Sequence, residues 1–391
     1  MSSIVIPTQI RSATRPTWAE VSLSALRQNF RLVQSFVGSG VNICAVVKAD
    51  AYGHGAVECA RALVHEGAQW FGVTGLDEAI PLRNVGIESR ILLMTGFWRG
   101  EQEEIVRLGL TPTIWERGQI ELLSDAVGRM RARPLAVHLK IDTGMGRLGV
   151  LPSELPAIIK TLQSSRGVFL EGVSTHLASS EVLDSESVER QTALFRDSLK
   201  SLRAQGFDPP LTHIANTSAM LSRREVWNTM VRPGLALYGY SLPFEESGRS
   251  AGTLDIPSLT PALTWKTRIL SLRDLPANQA LGYGGTYITK APSRIAVLPV
   301  GYADGLNRKL SSRGRVIVRG NFAPIVGRIS MDLTLVDVTA IPSAETGDEV
   351  VLLGTSDGLS VSALEHAALA ETIPYEILCN VSKRVPRKYI E

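Results

Sequence analysis

Cysteine is scarce in this sequence, and the few cysteines present are not arranged as pairs or as ligands. The three are Cys44, Cys59 and Cys379, with no CxxC spacing among them. A disulfide framework needs paired cysteines, and a structural zinc site needs clustered thiolates. We therefore expect reduced, mostly buried cysteines and no metal site.

Long apolar runs and long basic runs are also missing. No apolar stretch reaches the length of about 18 residues that a membrane span needs, and "MSSIVIPTQIRSATRPTW" lacks the apolar core of a secretory signal. The 41 basic and 38 acidic side chains leave a net charge of +3, with no basic run that could follow a nucleic-acid backbone. We expect a cytoplasmic protein that binds neither membrane nor nucleic acid, with a loose N-terminal extension over residues 1–16.

The sequence does contain a repeated alternation of apolar β-type runs and amphipathic segments between residues 20 and 240. Eight candidate strands occur there: "NICAVVKA", "WFGVTG", "RILLMTG", "TPTIW", "LAVHLKIDTG", "LEGVSTHLAS", "PLTHIANTS" and "MVRPGLALYG". Eight βα units are what a closed barrel requires. The pattern predicts an α/β barrel of the TIM type over residues 17–250.

After about residue 255 the pattern changes to short alternating strands with Gly, Asp and Asn turns, such as "RIAVLPVGYADG" and "GRVIVRG". This predicts a mainly antiparallel β domain over residues 255–391. The Ser-, Gly- and Pro-rich stretch "ESGRSAGTLDIPSL" marks the predicted boundary, and "SVSALEHAALAE" predicts a helix inside the second domain. A first strand near residues 17–23 is a candidate to pair with this domain.

Polar side chains end five of the candidate strands. They are Lys48, Asp142, His176, Asn216 with Thr217, and Arg232. Barrel active sites form at the carboxyl ends of the strands, and a lysine close to other cations becomes a nucleophile toward carbonyl groups. The stretches "ANTS" and "RPGLALYG" supply hydroxyl and backbone N–H donors suited to a phosphate. This combination predicts pyridoxal 5′-phosphate as cofactor.

Each of these residues also has an ordinary structural interpretation. Taken singly, Lys48 fits a strand-end lysine that reaches solvent, and His176 fits a hydrogen-bonded core histidine. Asn216 with Thr217 fits a helix N-cap. Their common position on one rim favours a functional site.

A dinucleotide site is a further alternative, because "GMGRLG" at residues 144–149 matches GxGxxG and Glu171 lies at a suitable distance for a ribose contact. However, Pro152 falls where the phosphate-binding helix would already run. The match also lies in the fifth strand unit rather than at the start of a βαβ fold. The sequence therefore disfavours this alternative.

Nine motifs together resemble the alanine racemase family of pyridoxal-phosphate enzymes. In family order they are "AVVKADAYGHG", "HLKIDTGMGRLG", "STHLASS", "HIANTSAM", "VRPGLALYG", "LGYGGTY", "PVGYADG", "GRISMDLTLVD" and "RVPR". The resemblance implies a β/α barrel, a C-terminal β domain and a homodimer with shared active sites. It also implies interconversion of L-alanine and D-alanine, which supplies D-alanine for peptidoglycan.

The resemblance assigns roles to residues of the barrel. Lys48 would hold the cofactor covalently, Arg232 would face its pyridine nitrogen and Arg147 its phenolic oxygen. His176 would lie near the ring and orient Arg232 or the catalytic tyrosine. The cofactor's phosphate end would be bound by Tyr52, Asn216, Thr217, Gly234 and Leu235.

The resemblance also assigns roles to the second domain. Tyr283 would be the second acid/base residue, with Met331, Asp332 and Tyr302 on the substrate side. In the family, Tyr283, Met331 and Asp332 would come from the other subunit. Racemisation needs one group to remove the α-proton from one face and another to return it on the opposite face. Lys48 would serve the D-enantiomer and Tyr283 the L-enantiomer.

Two positions limit what the resemblance implies. Lys383 occupies a position where several family members carry a tyrosine, which leaves open a broader alanine and serine racemase. Lys140 matches a position that is carbamylated in some members and braces the arginine at 147.

Two other functions remain as alternatives, a pyridoxal-phosphate carrier without racemase activity and a decarboxylase. The decarboxylase is disfavoured because Cys379 in "ILCNVS" has a strand-like setting.

Overall fold

The computed structural model describes residues 15–246, 249–250 and 254–391. The chain divides into two compact units, one formed by Ser22–Ala262 and the other by residues up to Val21 together with Leu263–Ile390. Nearly all of the predicted loose extension, and part of the predicted boundary segment, lie outside the described residues.

The unit Ser22–Ala262 is built on eight parallel strands. The strands follow β1 (Thr17–Ser22) and are β2 (Asn42–Val46), β3 (Trp70–Val73), β4 (Arg90–Leu93), β5 (Thr111–Ile114), β6 (Leu135–Lys140), β7 (Val168–Ser174), β8 (Leu211–His213) and β9 (Met230–Val231). Their sheet order is β8-β7-β6-β5-β4-β3-β2-β9. The ring nearly closes between β8 and β9, where the Arg232 N–H donates to the Ala215 carbonyl at 2.9 Å. The predicted α/β barrel is confirmed.

Helices alternate with these strands. They are Leu23–Val37, Ala56–His65, Leu76–Asn84, Gln102–Arg107, Arg117–Met130, Leu155–Ser164, Glu186–Ala204 and Thr217–Ser222, with short 3-10 turns at Pro152–Glu154, Arg224–Val226 and Leu235–Tyr238. The helix Leu23–Val37 shows why they form: its apolar residues recur every three or four positions and are buried. Ser22 caps this helix by accepting from the Ala25 N–H at 3.1 Å. A small hairpin, β10 (Glu245–Glu246) with β11 (Arg249–Ser250), ends the unit.

The other unit consists mainly of antiparallel β structure. Its strands are β1 with β12 (Leu263–Arg268), β13 (Ser271–Leu275), β14 (Ala280–Leu281), β15 (Tyr287–Ile288), β16 (Ser293–Leu298), β17 (Arg315–Val318), β18 (Asn321–Pro324), β19 (Thr334–Asp337), β20 (Glu349–Ser356), β21 (Leu359–Val361) and β22 (Arg387–Ile390). One sheet has the order β18-β17-β20-β12-β1-β22 with β21 on β20, and a second has the order β13-β16-β19. β1 pairs with β12 antiparallel, so the first described strand lies in this unit.

Two helices, Ala363–Ala370 and Pro374–Cys379, complete this unit, with 3-10 turns at Tyr283–Gly285, Tyr302–Asp304 and Arg308–Leu310. The strand-like setting predicted for Cys379 was wrong, because this residue ends a helix and is exposed. Pro374 starts that helix, and the turn is too short to show a helical period in the sequence. Among the described residues, no helix combines the length and apolarity needed to cross a membrane.

Candidate active site

The backbone after β2 forms a left-handed turn that begins at the predicted catalytic lysine. The strand ends at Val46, earlier than the sequence indicated, and the turn runs over Lys48–Tyr52. Ala49, Asp50, Ala51 and Tyr52 all have φ between 51° and 55°. Each such residue costs about 1–2 kcal/mol relative to right-handed backbone. The surrounding structure must therefore hold the turn in place.

Two carboxylates hold this turn. Glu78 accepts from the Ala49 N–H through Oε1 and from the Thr74 N–H through Oε2, both at 2.7 Å. Asp50 Oδ1 accepts from the Ala56 N–H at 2.7 Å. Glu78 thus ties the residue after Lys48 to the loop that follows β3.

Positive side chains gather around Lys48 at the carboxyl ends of the barrel strands. Lys140 ends β6, and burial together with the positive charges of Arg232, Arg147 and Lys48 lowers its pKa to about 8. Burial and these same cations lower the pKa of His176 to about 3, so its imidazole is neutral. The structure thus brings four predicted site residues and Lys140 into one electrostatically coupled group.

The "GMGRLG" loop that carries Arg147 wraps around a carboxylate. Asp142 Oδ1 accepts from the backbone N–H groups of residues 144, 145 and 146 at 2.9, 2.9 and 3.1 Å. Burial acts to raise the pKa of Asp142, but these donors outweigh it and hold the pKa below its usual value. Because the loop's N–H groups donate to Asp142, they are not available to bind the phosphates of a dinucleotide. The loop instead holds the backbone that carries Arg147.

Arg232 is buried and fixed by several acceptors. Its Nη1 donates to His213 Nδ1 at 2.7 Å, and its Nη2 donates to the carbonyls of Thr175 and Ile214 at 3.1 and 3.0 Å. Nη2 also lies 3.4 Å from His176 Nδ1. Burial lowers the pKa of Arg232 to about 10, so the guanidinium stays charged near neutral pH. His176 therefore lies in contact with Arg232, the arginine that it is predicted to orient.

Tyr52, Thr217 and Gly234 meet at the predicted phosphate end. A Cβ on Gly234 would overlap the Tyr52 hydroxyl and lie 3.0 Å from Tyr52 Cζ. Thr217 Oγ1 accepts from the Gly234 N–H at 3.0 Å and from the Ala236 N–H at 3.3 Å. Leu235 is fully buried at the start of the following 3-10 turn. These contacts bring the predicted phosphate-binding residues together.

Asn216 has the structural role that the sequence left open. Its Oδ1 accepts from the Ala219 N–H at 3.0 Å, which caps the helix Thr217–Ser222. Its Nδ2 donates to Ser180 Oγ at 2.9 Å. Asn216 therefore ties the loop after β7 to the helix beside Thr217.

In the β unit, Tyr283 projects from a glycine-rich turn between β14 and β15. Its side chain is 72% exposed. Gly282, Gly284 and Gly285 have φ of 67°, 74° and 55°, so the tightness of this turn requires glycine on both sides of the tyrosine. A Cβ on Gly284 would lie 3.0 Å from Arg328 Nη1, which places the Arg328 guanidinium beside the turn.

The other predicted substrate-side residues of the β unit lie on two connected loops. The Tyr302 N–H donates to the Ser330 carbonyl at 3.0 Å, and the Ala303 N–H donates to the Met331 carbonyl at 3.1 Å. Tyr302 is 44% exposed and Met331 is 53% exposed. The backbone thus joins the loop of Tyr302 to the loop of Met331 and Asp332.

Two arginines missed in the sequence support these loops. Arg384 Nη2 donates to Asp332 Oδ1 at 2.7 Å, and Arg15 Nη1 lies 3.6 Å from the same atom. Both arginines also pair with the buried carboxylate of Asp304. Lys383 precedes Arg384 and is exposed. Asp332 therefore acts as an ion-pair partner, and the only sequence signal for this arrangement was that Arg384 begins the "RVPR" motif.

Comparison with known proteins identifies the family of this chain. The model described as "Alanine racemase, N-terminal domain" matches residues 21–242, and the model described as "Alanine racemase, C-terminal domain" matches residues 262–389. The chain belongs to the alanine racemase family. The alanine racemase of Halothermothrix orenii is 41% identical over 96% of this chain and 97% of its own length. That of Sorangium cellulosum is 42% identical over 96% and 100%, respectively.

Solved alanine racemases have the same fold. The alanine racemase from D-cycloserine-producing Streptomyces lavendulae superposes with a TM-score of 0.89 at 35% identity, covering 97% of this chain and 98% of its own. The Bartonella henselae alanine racemase with covalently bound pyridoxal phosphate gives a TM-score of 0.84 at 30% identity, covering 96% and 99%. Alanine racemases are isomerases, and the predicted family is confirmed.

Proposed function

We propose that this protein interconverts L-alanine and D-alanine with pyridoxal 5′-phosphate as cofactor. The observation that carries the proposal is the electrostatically coupled group of Lys48, Lys140, Arg147, Arg232 and neutral His176 at the carboxyl ends of the barrel strands. The D-alanine formed would supply peptidoglycan, and we propose that the protein acts in the cytoplasm.

Two features of the barrel fit this cofactor. Burial and neighbouring cations lower the pKa of Lys140, so an anionic ligand would relieve a local excess of positive charge. Gly234 has no Cβ, which lets the Tyr52 hydroxyl lie against its backbone at the predicted phosphate end. Tyr52, Thr217, Gly234 and Leu235 would hold the phosphate end, with Asn216 bracing Thr217 from the preceding position.

Arg147 and Arg232 would bind opposite sides of the cofactor ring, at its phenolic oxygen and its pyridine nitrogen. When bound, the cofactor supplies an electron-withdrawing ring that stabilises negative charge at the substrate's α-carbon. Arg232 retains its own proton near neutral pH and would discourage protonation of the pyridine nitrogen. We infer that this limits side reactions such as transamination.

Two proton-transfer groups on opposite faces would perform the racemisation. Lys48 would exchange the α-proton on one face, acting on D-alanine, and the partner subunit's Tyr283 would do so on the other face, acting on L-alanine. Lys48 is held by the Glu78-supported turn, whereas Tyr283 stands 72% exposed on its turn. Such exposure of an aromatic side chain suits a residue that completes a neighbouring subunit's site.

A homodimer with shared sites follows from this assignment. The substrate-side residues Tyr283, Met331 and Tyr302 are 72%, 53% and 44% exposed in the single chain. Dilution below the dimer dissociation constant should therefore reduce specific activity. Full activity in a proven monomer would contradict a shared site.

A broader alanine and serine racemase is the second candidate, because exposed Lys383 occupies a position where several family members carry a tyrosine.

The first experiment follows optical rotation of L-alanine with purified protein and pyridoxal phosphate, beside Lys48→Ala and an L-serine reaction. The proposal is supported if the optical rotation of L-alanine falls to zero with the wild-type protein and stays constant with Lys48→Ala. Cofactor bound to lysine without racemisation would instead favour a carrier or a decarboxylase.

A further inference from the structure

A line of buried polar side chains crosses the barrel interior behind Arg232. Arg232 Nη1 lies 2.7 Å from His213 Nδ1, and His213 Nε2 lies 2.8 Å from His138 Nδ1. His138 Nε2 in turn faces Glu171 Oε2 at 3.5 Å. We call these four residues the histidine chain. All four are buried, with the two imidazoles at most 1% exposed.

Only one arrangement of protons satisfies the histidine chain. Arginine can only donate, so His213 Nδ1 must accept and its proton must sit on Nε2. That proton points at His138 Nδ1, which must therefore accept and leaves the His138 proton on Nε2. This proton faces Glu171, whose carboxylate can only accept. The two hydrogen bonds of the histidine chain thus run in one direction, from Arg232 to His138, and the His138 Nε2–H faces Glu171 at 3.5 Å.

The electrostatics of the barrel interior favour the same arrangement. Burial, followed by the charge of Arg232, lowers the pKa of His213 well below its ordinary value. Burial also lowers the pKa of His138. Both imidazoles are therefore neutral at neutral pH, as the hydrogen bonds require. Among the described residues Arg232 has no direct carboxylate ion pair, and its connection to one runs through these histidines.

The far end of the histidine chain is anchored firmly. Arg90 donates to both carboxylate oxygens of Glu171, with Nη2 2.6 Å from Oε2. The Arg90 guanidinium also lies over the Trp70 ring, 4.4 Å from its centroid, and Trp70 packs against the His138 ring. Burial acts to raise the pKa of Glu171, but the neighbouring His138 and the bonds from Arg90 hold it below its usual value. Glu171 is thus a fixed negative charge and no ribose ligand.

We propose that His213, His138 and Glu171 are positioning residues that fix the orientation of Arg232 and thereby set reaction specificity. The inference rests on the proposed function, because it concerns how Arg232 meets the cofactor's pyridine nitrogen. With Nη1 committed to His213, the guanidinium cannot rotate away from that nitrogen. Disturbing Glu171, two side chains removed from Arg232, should therefore change the ratio of products and not only the rate.

The first test needs no cofactor and no activity. The chain has six histidines, so ¹⁵N-histidine labelling of the cofactor-free protein gives a spectrum in which each tautomer is resolved. We expect His213 and His138 to be neutral Nε2–H tautomers at neutral pH, identified by the loss of their signals in His213→Gln and His138→Phe. A cationic ring or an Nδ1–H tautomer at His213 would overturn the histidine chain, whether or not the protein racemises alanine.

The second test measures product partition in the cofactor-loaded enzyme. Half-transamination moves the amino group of alanine to pyridoxal phosphate and releases pyruvate, which is counted against racemic turnover. We expect Glu171→Gln and His138→Phe to raise the ratio of pyruvate to racemisation by about three- to tenfold. His366→Phe, which removes a buried histidine from the other unit, should leave the ratio unchanged.

An unchanged ratio in folded Glu171→Gln would overturn the proposal, even if overall rates fall. If His138→Phe does not fold, the proposal is still tested by the ratio of pyruvate to racemisation in Glu171→Gln and by the histidine tautomers of the wild-type protein. Absence of racemisation in the wild-type protein would instead remove the proposed function while leaving the tautomer result valid.

Discussion

The Tyr52 hydroxyl fills the space into which any side chain on residue 234 would extend. A Cβ on Gly234 would lie 3.0 Å from Tyr52 Cζ and overlap the hydroxyl, while Thr217 fixes the Gly234 N–H at 3.0 Å. Residue 234 is therefore held from one side by a hydrogen bond and from the other by a tyrosine ring. Close approach of backbone to a ligand is a common reason for glycine at such a position.

We expect Gly234→Ala to weaken cofactor binding by about tenfold or more, because the new methyl group displaces Tyr52 by a distance that binding geometry does not tolerate. Titration of the cofactor-free protein with pyridoxal phosphate, followed by absorbance, measures this. Gly128→Ala is the matched control, since that helical glycine has nothing within 4 Å of its Cβ position. Equal affinity in both variants would contradict the assignment of this phosphate end.

The left-handed turn after Lys48 predicts an unusual response to glycine. Ala49 is exposed and has φ of 51°, so Ala49→Gly should stabilise the cofactor-free protein by about 0.5–1 kcal/mol. Ala157 is exposed in a right-handed helix, and Ala157→Gly should destabilise by a similar amount. Urea unfolding measures both changes. Destabilisation by both substitutions would show that the turn is not left-handed in solution.

Buried histidines predict a loss of stability in mild acid. Burial lowers the pKa of His176 to about 3 and that of His366 to about 4, whereas an unfolded histidine titrates near 6.5. Between pH 6.5 and 4 the unfolded state binds more protons, so the free energy of unfolding falls as pH falls. Each such histidine contributes about 1.4 kcal/mol per pH unit.

Urea midpoints of the cofactor-free protein between pH 7 and 4.5 check this dependence. In His366→Phe the free energy of unfolding should fall less steeply with falling pH, by the contribution of one histidine. Carboxylates that titrate in the same range are present in the wild type and in the variant, so their contribution cancels in this comparison. A slope identical to that of the wild type would mean that the pKa of His366 is the same in the folded and unfolded states.

Lys383 predicts a relaxed substrate range. We propose that this position borders the substrate's side chain, where a tyrosine would place a rigid ring and the flexible lysine leaves more room. We expect Lys383→Tyr to lower the rate on serine relative to alanine by about three- to tenfold. Lys160→Tyr, an exposed change on a barrel helix, controls for the added ring. A ratio that stays constant would separate Lys383 from substrate choice.

The barrel could be predicted because its eight strands are short apolar runs separated by amphipathic helices, but the strand ends could not. "AVVKADA" contains no glycine or asparagine to signal a left-handed turn, yet the strand stops at Val46. The hydrogen bond that the Ala49 N–H donates to Glu78, on the helix Leu76–Asn84, overrides the local preference. Tertiary contacts of this kind leave no trace in the local sequence.

The site residues at the strand ends could be predicted from their position, whereas their supports could not. His138 and His213 are 75 residues apart in the chain, and each is buried within a short strand of the barrel, β6 or β8. Such a residue is ordinarily interpreted as a core histidine. Only the barrel geometry shows that the two imidazoles meet and that Arg232 lies at one end of the line.

The measurement that tests the central claim most directly is activity of a hybrid dimer. Two differently tagged chains, Lys48→Ala and Tyr283→Phe, are co-expressed and purified through both tags in turn. In a twofold dimer with shared sites, one site then has both residues intact and the other has neither. We predict that the hybrid racemises L-alanine at about half the wild-type rate per dimer, while each homodimeric variant is nearly inactive. A hybrid as inactive as the two variants would show that Lys48 and Tyr283 do not act together across subunits.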